Sequence, residues 1–538
     1  MALPATSDIV SRPKFREGKH REIRETVEVA AVGFERVLER HVLAAGTVFS
    51  ILYFSWALYI SNRKELWFDE LVSYAVDHLP MWTDAWRALQ TGVDANPPLF
   101  HLVNRVLLGI LGDTTFAQRA SSIFGFWAMS LCLYAIVRKN HSAAASWVAA
   151  VIPGCSGAAY YATEARPYGM VMGLVSLAVL CWVNAAEATG SRRGWLAGLT
   201  FAMACAISCH YNAVFLLAPF VGAEATRAVR RTRVDWAVLG AIVASCFPLL
   251  LFYKAGLISA LGQYTASTGN PSLLSPIAFW SFLLGPFAVS IAMAVAAAVA
   301  WHWLTGKAEW KSFDVLPTHT ILIAAWFGMV PIVIAVSGRY VTHLYEDRYA
   351  LSAIIGVAIL IGAGFDALRS VVPGAAGLAI LALIVPVSAE AIASRAKPRG
   401  RHIDYGWQKA ASARPDLPVV YGRPLEFVQA WYNAPSPDLK RRIIGLVNVK
   451  EGFDRTGSVI EDLGVVNLKA SLSLPAVDYF AFTAQRKPFY LITQPSVTSW
   501  VTHKLLEDGA DLKIELLFNG EVISLVTWPQ ARDLQNQR

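Results

Sequence analysis

Between Val42 and Ala393 the chain returns repeatedly to uninterrupted apolar windows, each close to the ~20 residues a helix needs to cross a ~30 Å hydrocarbon core. Of the 538 residues, 55% are hydrophobic and 16% charged, against roughly 25% charged in an ordinary soluble domain. The excess apolar surface therefore has to find a solvent other than water, and a membrane supplies it. Spans are predicted at 43–60, 116–137, 142–160, 167–187, 195–208, 211–224, 235–253, 276–303, 319–337, 348–368 and 372–392, about eleven in all. After Pro398 the windows stop.

Charge in the short loops gives an orientation. With the basic N-terminus cytoplasmic, Arg138 and Lys139, Arg192 and Arg193, Arg227 to Arg233, Lys307 and Lys311, and Arg369 all fall on the cytoplasmic side, as the positive-inside rule expects. That agreement requires a break near His210, so that 195–224 is two short helices, and it leaves 97–112 as a helix along the outer interface with Pro97 and Pro98 in its first turn. The net charge of +8 is spread over these loops, which argues for orientation and against a nucleic-acid partner. The first 42 residues are basic and mixed in charge without the apolar core of a cleaved signal peptide. Ile23, Val27, Ala31, Phe34 and Leu38 share one helical face there, which reads as a helix on the membrane surface or equally as a disordered tail. The six cysteines all sit in apolar segments, so neither a disulfide framework nor a zinc motif is implied.

The chain divides into a cytoplasmic N-terminal segment, 1–42, a membrane module, 43–396, and a water-soluble region, 397–538. In the last, Pro418–Gly422 and Phe489–Thr493 read as strands and Leu425–Tyr432 as the start of a helix, while LKIELLF and EVISLVTW flank Asn519 and Gly520 as a hairpin. This is a small α/β domain, and an odd number of spans puts it on the outer side with the first outer loop, 61–115.

Unusual polar residues collect on that same side. The first outer loop carries Asp69 and Glu70, then Asp94, Asn96 and His101; the third span exits into Glu164, Arg166 and Tyr168; His210 sits at the break; and the last outer loop ends in Arg348 and Tyr349. A carboxylate at a membrane interface can serve as a general base toward a hydroxyl or amine, and Asp69 is placed for that. Asp69 and Glu70 read equally as an acidic helix start; adjacent carboxylates can also hold a divalent cation through oxygen ligands, for which the pair alone is too little. Arg166 and Arg348 at helix ends suit phosphate oxygens, although snorkelling to the interface accounts for either residue alone. Glu164 can pair with Arg166, and His101 and His210 can be packed interface histidines. The turn-rich loop 254–275 reads as a lid over the site.

In combination, F-D-E at 68–70, D-x-N-P-P-L-F at 94–100, E-A-R-P-Y at 164–168 and D-R-Y at 347–349 resemble the signatures of the GT-C glycosyltransferases, specifically the superfamily of protein O-mannosyltransferases and the lipid A aminoarabinose transferase. Asn96 departs from the wording of that family, where His often precedes the two prolines. The resemblance implies a GT-C-like membrane bundle and an inverting enzyme that passes a sugar from a polyprenyl-phosphate carrier to a lipid, glycan or protein acceptor. It implies that Asp69 is catalytic with Glu70 supporting it, and that Arg166 and Arg348 lie near the donor phosphate. Asp94, Asn96, His101, Glu164, Tyr168, His210 and Tyr349 are then candidates for substrate binding. The location implied is a bacterial inner membrane with the site facing the periplasm. The alternative from another class, a transporter or flippase of a lipid-linked glycan, more often shows charges near the bilayer midplane and a two-halved repeat.

Overall fold

The computed structural model describes residue 26 and residues 29–259, 262, 272–285, 316–368, 374–377, 379–380, 406–494 and 499–529. Among them, Val42–Ser61, Thr115–Arg138, Tyr168–Glu187 and Trp236–Lys254 are helices long and apolar enough to cross a membrane. Thr318–Gly328 and Val330–Thr342, bent by 42° at their junction, make a fifth if counted as one broken span. Shorter apolar helices, including Ala143–Cys155, Arg193–Cys209 and Ala353–Asp366, accompany them. The predicted span 276–303 is described only to residue 285, where Ser275–Gly285 is an apolar helix; most of 372–392, the loop residues Lys307, Lys311 and Arg369, Ile23 and Val27, and half of the loop 254–275 lie outside the described residues.

Two predicted spans differ in form. The segment 142–160 is not one helix: regular α-helix ends at Val151, a 3-10 turn runs from Ile152 to Cys155, and a separate turn of helix follows at Ala159–Ala162. Pro153, which has no N–H to give to a helical ladder, explains the break. The segment 348–368 begins as a 3-10 turn, Asp347–Tyr349, and becomes regular helix only from Ala353 to Leu368. The break expected at His210 is present, with Arg193–Cys209 before it and a 3-10 turn, Tyr211–Leu216, after it.

The helices Thr115–Arg138 and Tyr168–Glu187 cross at unusually close range. A Cβ added to Gly173 would lie 2.3 Å from the Gly125 carbonyl oxygen, and one added to Gly169 would lie 2.4 Å from that of Ser122. Small residues let the two backbones approach in the absence of a hydrophobic drive between lipid-soluble helices. The contact reaches the mouth of the bundle, where the Ser122 hydroxyl donates to the Arg166 carbonyl.

Polar side chains sort to the two ends of this bundle. At the end opposite Arg119, Arg138 pairs with Glu39, Lys139 with Glu187, His319 with Glu187 at 3.0 Å, and Arg192 with Asp235, while Arg227 lies 3.6 Å from Asp235. Three of the basic loops on which the orientation rests therefore share one end. Residues 29–40 are helical and bury Ala31, Glu35 and Leu38. The Glu35 carboxylate accepts from the backbone N–H groups of Ala376 and Gly377, so this amphipathic segment is docked on the bundle. The helix Pro98–Leu111 buries His101 and Asn104 on one side and exposes Leu102, Val106 and Ile110 on the other, a stripe suited to an apolar interface.

The C-terminal region carries a six-stranded sheet in the order β3-β2-β1-β4-β6-β5, with β1 Val419–Tyr421, β2 Ile443–Val447, β3 Ala476–Asp478, β4 Phe489–Thr493, β5 Asp511–Phe518 and β6 Glu521–Thr527. The first four strands are parallel, and β6 runs antiparallel to both β4 and β5. Asn519 and Gly520 turn the β5–β6 hairpin with positive φ at both positions, 49° and 82°, the backbone a type I′ turn requires. Leu66, Phe68, Leu71, Val72 and Val93 form one apolar core with Phe427, Val428, Val465 and Leu468 of this region. Asn467 Nδ2 donates to the Gly92 carbonyl at 3.2 Å, and Asn433 Nδ2 to Glu65 at 3.3 Å. The first loop and the α/β region thus lie at the same end of the bundle.

Candidate functional site

Glu70 and Asp69 open the helix Phe68–Asp77, and their side chains serve different neighbours. Glu70 is fully buried. Arg119 forks onto it through Nε and Nη2 at 2.7 and 2.9 Å, and the Ala165 N–H donates to it at 2.7 Å. The same carboxylate reaches back to the Trp67 N–H at 3.2 Å, as an N3 glutamate does in a capping box. Arg119 also donates to the carbonyls of Ser61, Lys64 and Glu65, so one ion pair ties the end of the first span, the start of the Asp69 helix and the Arg166 loop together. Asp69 faces the other way. Its Oδ2 accepts from Arg348 Nη1 at 2.9 Å, and both side chains are 21% exposed.

Arg348 is surrounded by rings, with its guanidinium carbon 6.0 Å from the Trp67 centroid, 5.9 Å from Tyr168 and 5.8 Å from Tyr349. Arg166 is more enclosed: its Nη1 donates to the Asp69 carbonyl at 3.0 Å, to Ser73 Oγ at 3.0 Å and to Asp94 Oδ2 at 2.9 Å. Asn96 donates to the other Asp94 oxygen through its backbone and its side chain, at 3.2 and 2.8 Å. Burial alone would raise the Asp94 carboxyl, but Arg166 and His101 hold it well below the usual carboxylate range. Burial, reinforced by Arg166 and Arg348, depresses the His210 imidazole to about 3. It is neutral at physiological pH, and its Nδ1 accepts from the Asn212 N–H at 3.1 Å.

A cavity of ≈ 280 Å³ runs between these groups. Asp69, Asp94, Asn96, Arg166, Tyr168, His210, Arg348 and Tyr349 all line it, so eight positions drawn from four separate stretches of sequence meet in one place. Glu70, His101 and Glu164 stand behind its wall. Glu164 pairs with Lys64 at 3.2 Å instead of Arg166. The acidic pair does not form a shared oxygen site, because Asp69 turns to Arg348 and Glu70 to Arg119; among the described residues no group of three or more His, Cys, Asp or Glu side chains is arranged to hold a metal ion.

Several lining residues escape a reading of the sequence. Val72 and Val93 come from the first loop, Thr342 and Leu344 from the last, and Ile460 and Gly464 from the helix Ile460–Leu472 of the α/β region. Nothing in the local sequence marks Ile460 or Gly464. Arg119 does carry a signal, since an arginine inside an apolar span is costly and implies a buried partner.

Residues 95–253 match the family described as dolichyl-phosphate-mannose-protein mannosyltransferase. The chain also superposes on the crystal structure of ArnT from Cupriavidus metallidurans in the apo state, with a TM-score of 0.56 over 89% of this chain and 98% of that one, at 12% identity. The fold is that of the GT-C superfamily. ArnT from the same organism bound to undecaprenyl phosphate superposes over the same shares with a TM-score of 0.51 and 14% identity. No curated protein matches the chain. The likeness is one of fold over most of the chain and of family over residues 95–253, and the apolar helices fit a membrane setting.

Proposed function

We propose that this chain takes a sugar from a polyprenyl-phosphate carrier and transfers it, with inversion, to an acceptor at the periplasmic face of a bacterial inner membrane. The observation that carries this reading is the meeting of Asp69 and Arg348, 2.9 Å apart, in a cavity that Arg166, His210 and Tyr349 also line. In the reaction the acceptor oxygen or nitrogen attacks the anomeric carbon and its proton passes to Asp69. The bond from the anomeric carbon to the phosphate oxygen breaks on the opposite face, and polyprenyl phosphate leaves. Arg348, held among Trp67, Tyr168 and Tyr349, is the cation best placed to take the leaving phosphate, because its side chain is 21% exposed against 9% for Arg166, with Arg166 lending charge from behind. Glu70 supports Asp69 by fixing the turn on which it stands.

Undecaprenyl phosphate tests the donor half. The purified full chain in nanodiscs is expected to bind it, and Arg348→Ala is expected to weaken binding roughly 10- to 100-fold, the range for lost hydrogen bonds to a charged group; equal affinity in the variant overturns the role given to Arg348. Coupled to a sugar, the same lipid should be discharged by the wild type in the presence of an envelope extract.

The acceptor half rests on the α/β region. A Cβ at Gly464 would stand 3.2 Å from the Phe68 ring, next to Asp69, and Ile460 lines the same wall. Gly464→Leu is expected to leave undecaprenyl phosphate binding within about threefold while lowering transfer by roughly tenfold or more, since a filled cavity wall cannot relax without moving its neighbours. Unchanged transfer, read by mass spectrometry of the envelope products, removes the α/β region from acceptor binding.

A further inference from the structure

Behind the cavity wall lies a row of buried charges that the reaction as written does not use. His101 is fully buried, and both of its ring nitrogens face carboxylates: Nδ1 is 2.7 Å from Asp77 Oδ1, and Nε2 is 3.4 Å from Asp94 Oδ2. Asn104 Nδ2 donates to the second Asp77 oxygen at 3.0 Å, and Arg105 donates to the Asp77 carbonyl at 2.9 Å. Asp94 in turn meets Arg166 at 2.9 Å. The row therefore reads Asp77, His101, Asp94, Arg166, with alternating sign and only Asp94 and Arg166 touching the cavity. Nε2 makes no hydrogen bond at that distance, so its contact with Asp94 is one of charge; an imidazole with a carboxylate at each nitrogen presents a proton to both only as the two-donor imidazolium.

We propose that His101, as an imidazolium clamped between Asp77 and Asp94, is a positioning residue of this site: it holds Asp94 in place and shares its negative charge, leaving part of the Arg166 charge for a phosphate in the cavity. This rests on the donor-phosphate reading above. The row sums to zero with His101 protonated. Removing that proton leaves one uncompensated negative charge beside Arg166, and in a buried setting such a charge acts over several ångströms with little screening. Burial by itself would lower the His101 pKa, but Asp77 and Asp94 push it up to about 9. The proton is therefore held through the neutral range and lost as pH rises through about 9. The charged groups facing the ring are Asp77 from the helix Phe68–Asp77 and Asp94 from the loop that precedes His101's own helix, with Arg166 beyond Asp94 and Arg105 on the His101 helix.

The experiment measures undecaprenyl phosphate binding to the full chain in nanodiscs between pH 7.5 and 10, alongside the thermal midpoint of each variant. Wild-type affinity is expected to fall as pH passes about 9. His101→Gln is expected to bind roughly tenfold more weakly at pH 7.5, the size of one pKa unit of differential interaction, and to lose the alkaline limb. Asp77→Asn combined with His101→Gln returns the row to zero charge and is expected to recover affinity to within about threefold of wild type. A packing role alone gives no such recovery, so a double variant that folds yet binds as weakly as His101→Gln overturns the inference. So does a His101→Gln protein with wild-type affinity and an intact alkaline limb. A wild type that binds no undecaprenyl phosphate at any pH overturns the functional reading itself and this inference with it.

Discussion

Asp69→Asn should slow transfer by orders of magnitude and leave the protein folded and able to bind undecaprenyl phosphate. The substitution keeps the shape of the side chain and an oxygen that can still accept from Arg348, which now sits 2.9 Å from the carboxylate. What it removes is the ability to take a proton. A positioned general base contributes typically 10²- to 10⁴-fold, so kcat is expected to fall by about that factor. Donor affinity should hold or rise, because an amide offsets the Arg348 charge less than a carboxylate does. The pattern of lower kcat with intact binding marks a group whose contribution is made in the transition state. A kcat within about threefold of wild type, measured on material that elutes as wild type does, would remove Asp69 from catalysis. Asp69→Glu separates base strength from position: it retains a carboxylate but extends it by one methylene into the Arg348 pocket, and partial activity there is the expected result.

How far this site was legible can be argued from its members. Asp69, Arg166 and Arg348 stand out in the sequence because charge is conspicuous at the end of an apolar run, and loop charge gives the side on which each emerges. The structure brings their segments to one end of the bundle and puts the basic loops 138–139, 192–193 and 227–233 at the other. The β5–β6 hairpin was legible because Asn519 and Gly520 are residue types that tolerate positive φ. β2 and β3 were not, since parallel strands of only five and three residues are too short to display a period. The break in 142–160 was hidden for a related reason: Pro153 stands inside an apolar run whose hydropathy does not fall. Ile460 and Gly464 could not be found from sequence at all, because their part in the cavity comes from how the α/β region docks on the first loop. Glu70 and Asp69 look interchangeable as neighbours in a motif. Only burial and partners separate the one locked to Arg119 from the one that opens to the cavity.

That separation predicts a second large effect. Arg119→Met should cost about 3–5 kcal/mol of stability, the range for removing one partner of a buried ion pair and leaving the other charge uncompensated. Both side chains are wholly inaccessible to solvent, and Arg119 also leaves three carbonyl acceptors without their donor. Glu70→Gln is expected to be milder, because the amide oxygen can still accept from Arg119 or from the Ala165 N–H. The double variant Arg119→Met, Glu70→Gln should be more stable than Arg119→Met alone, since the residual buried charge has gone. The readout is the temperature at which half of the detergent-solubilised full chain loses its monodisperse elution peak. Equal midpoints for wild type and Arg119→Met would mean that Glu70 is not confined as its bonds imply. The activity of the double variant then carries the functional half of the argument. If the ion pair matters because it fixes the turn bearing Asp69 against the loop bearing Arg166, a protein restored in stability but not in that geometry should remain slow, with kcat reduced and undecaprenyl phosphate affinity nearly unchanged. Recovery of full activity would instead show that Asp69 is oriented by Arg348 alone.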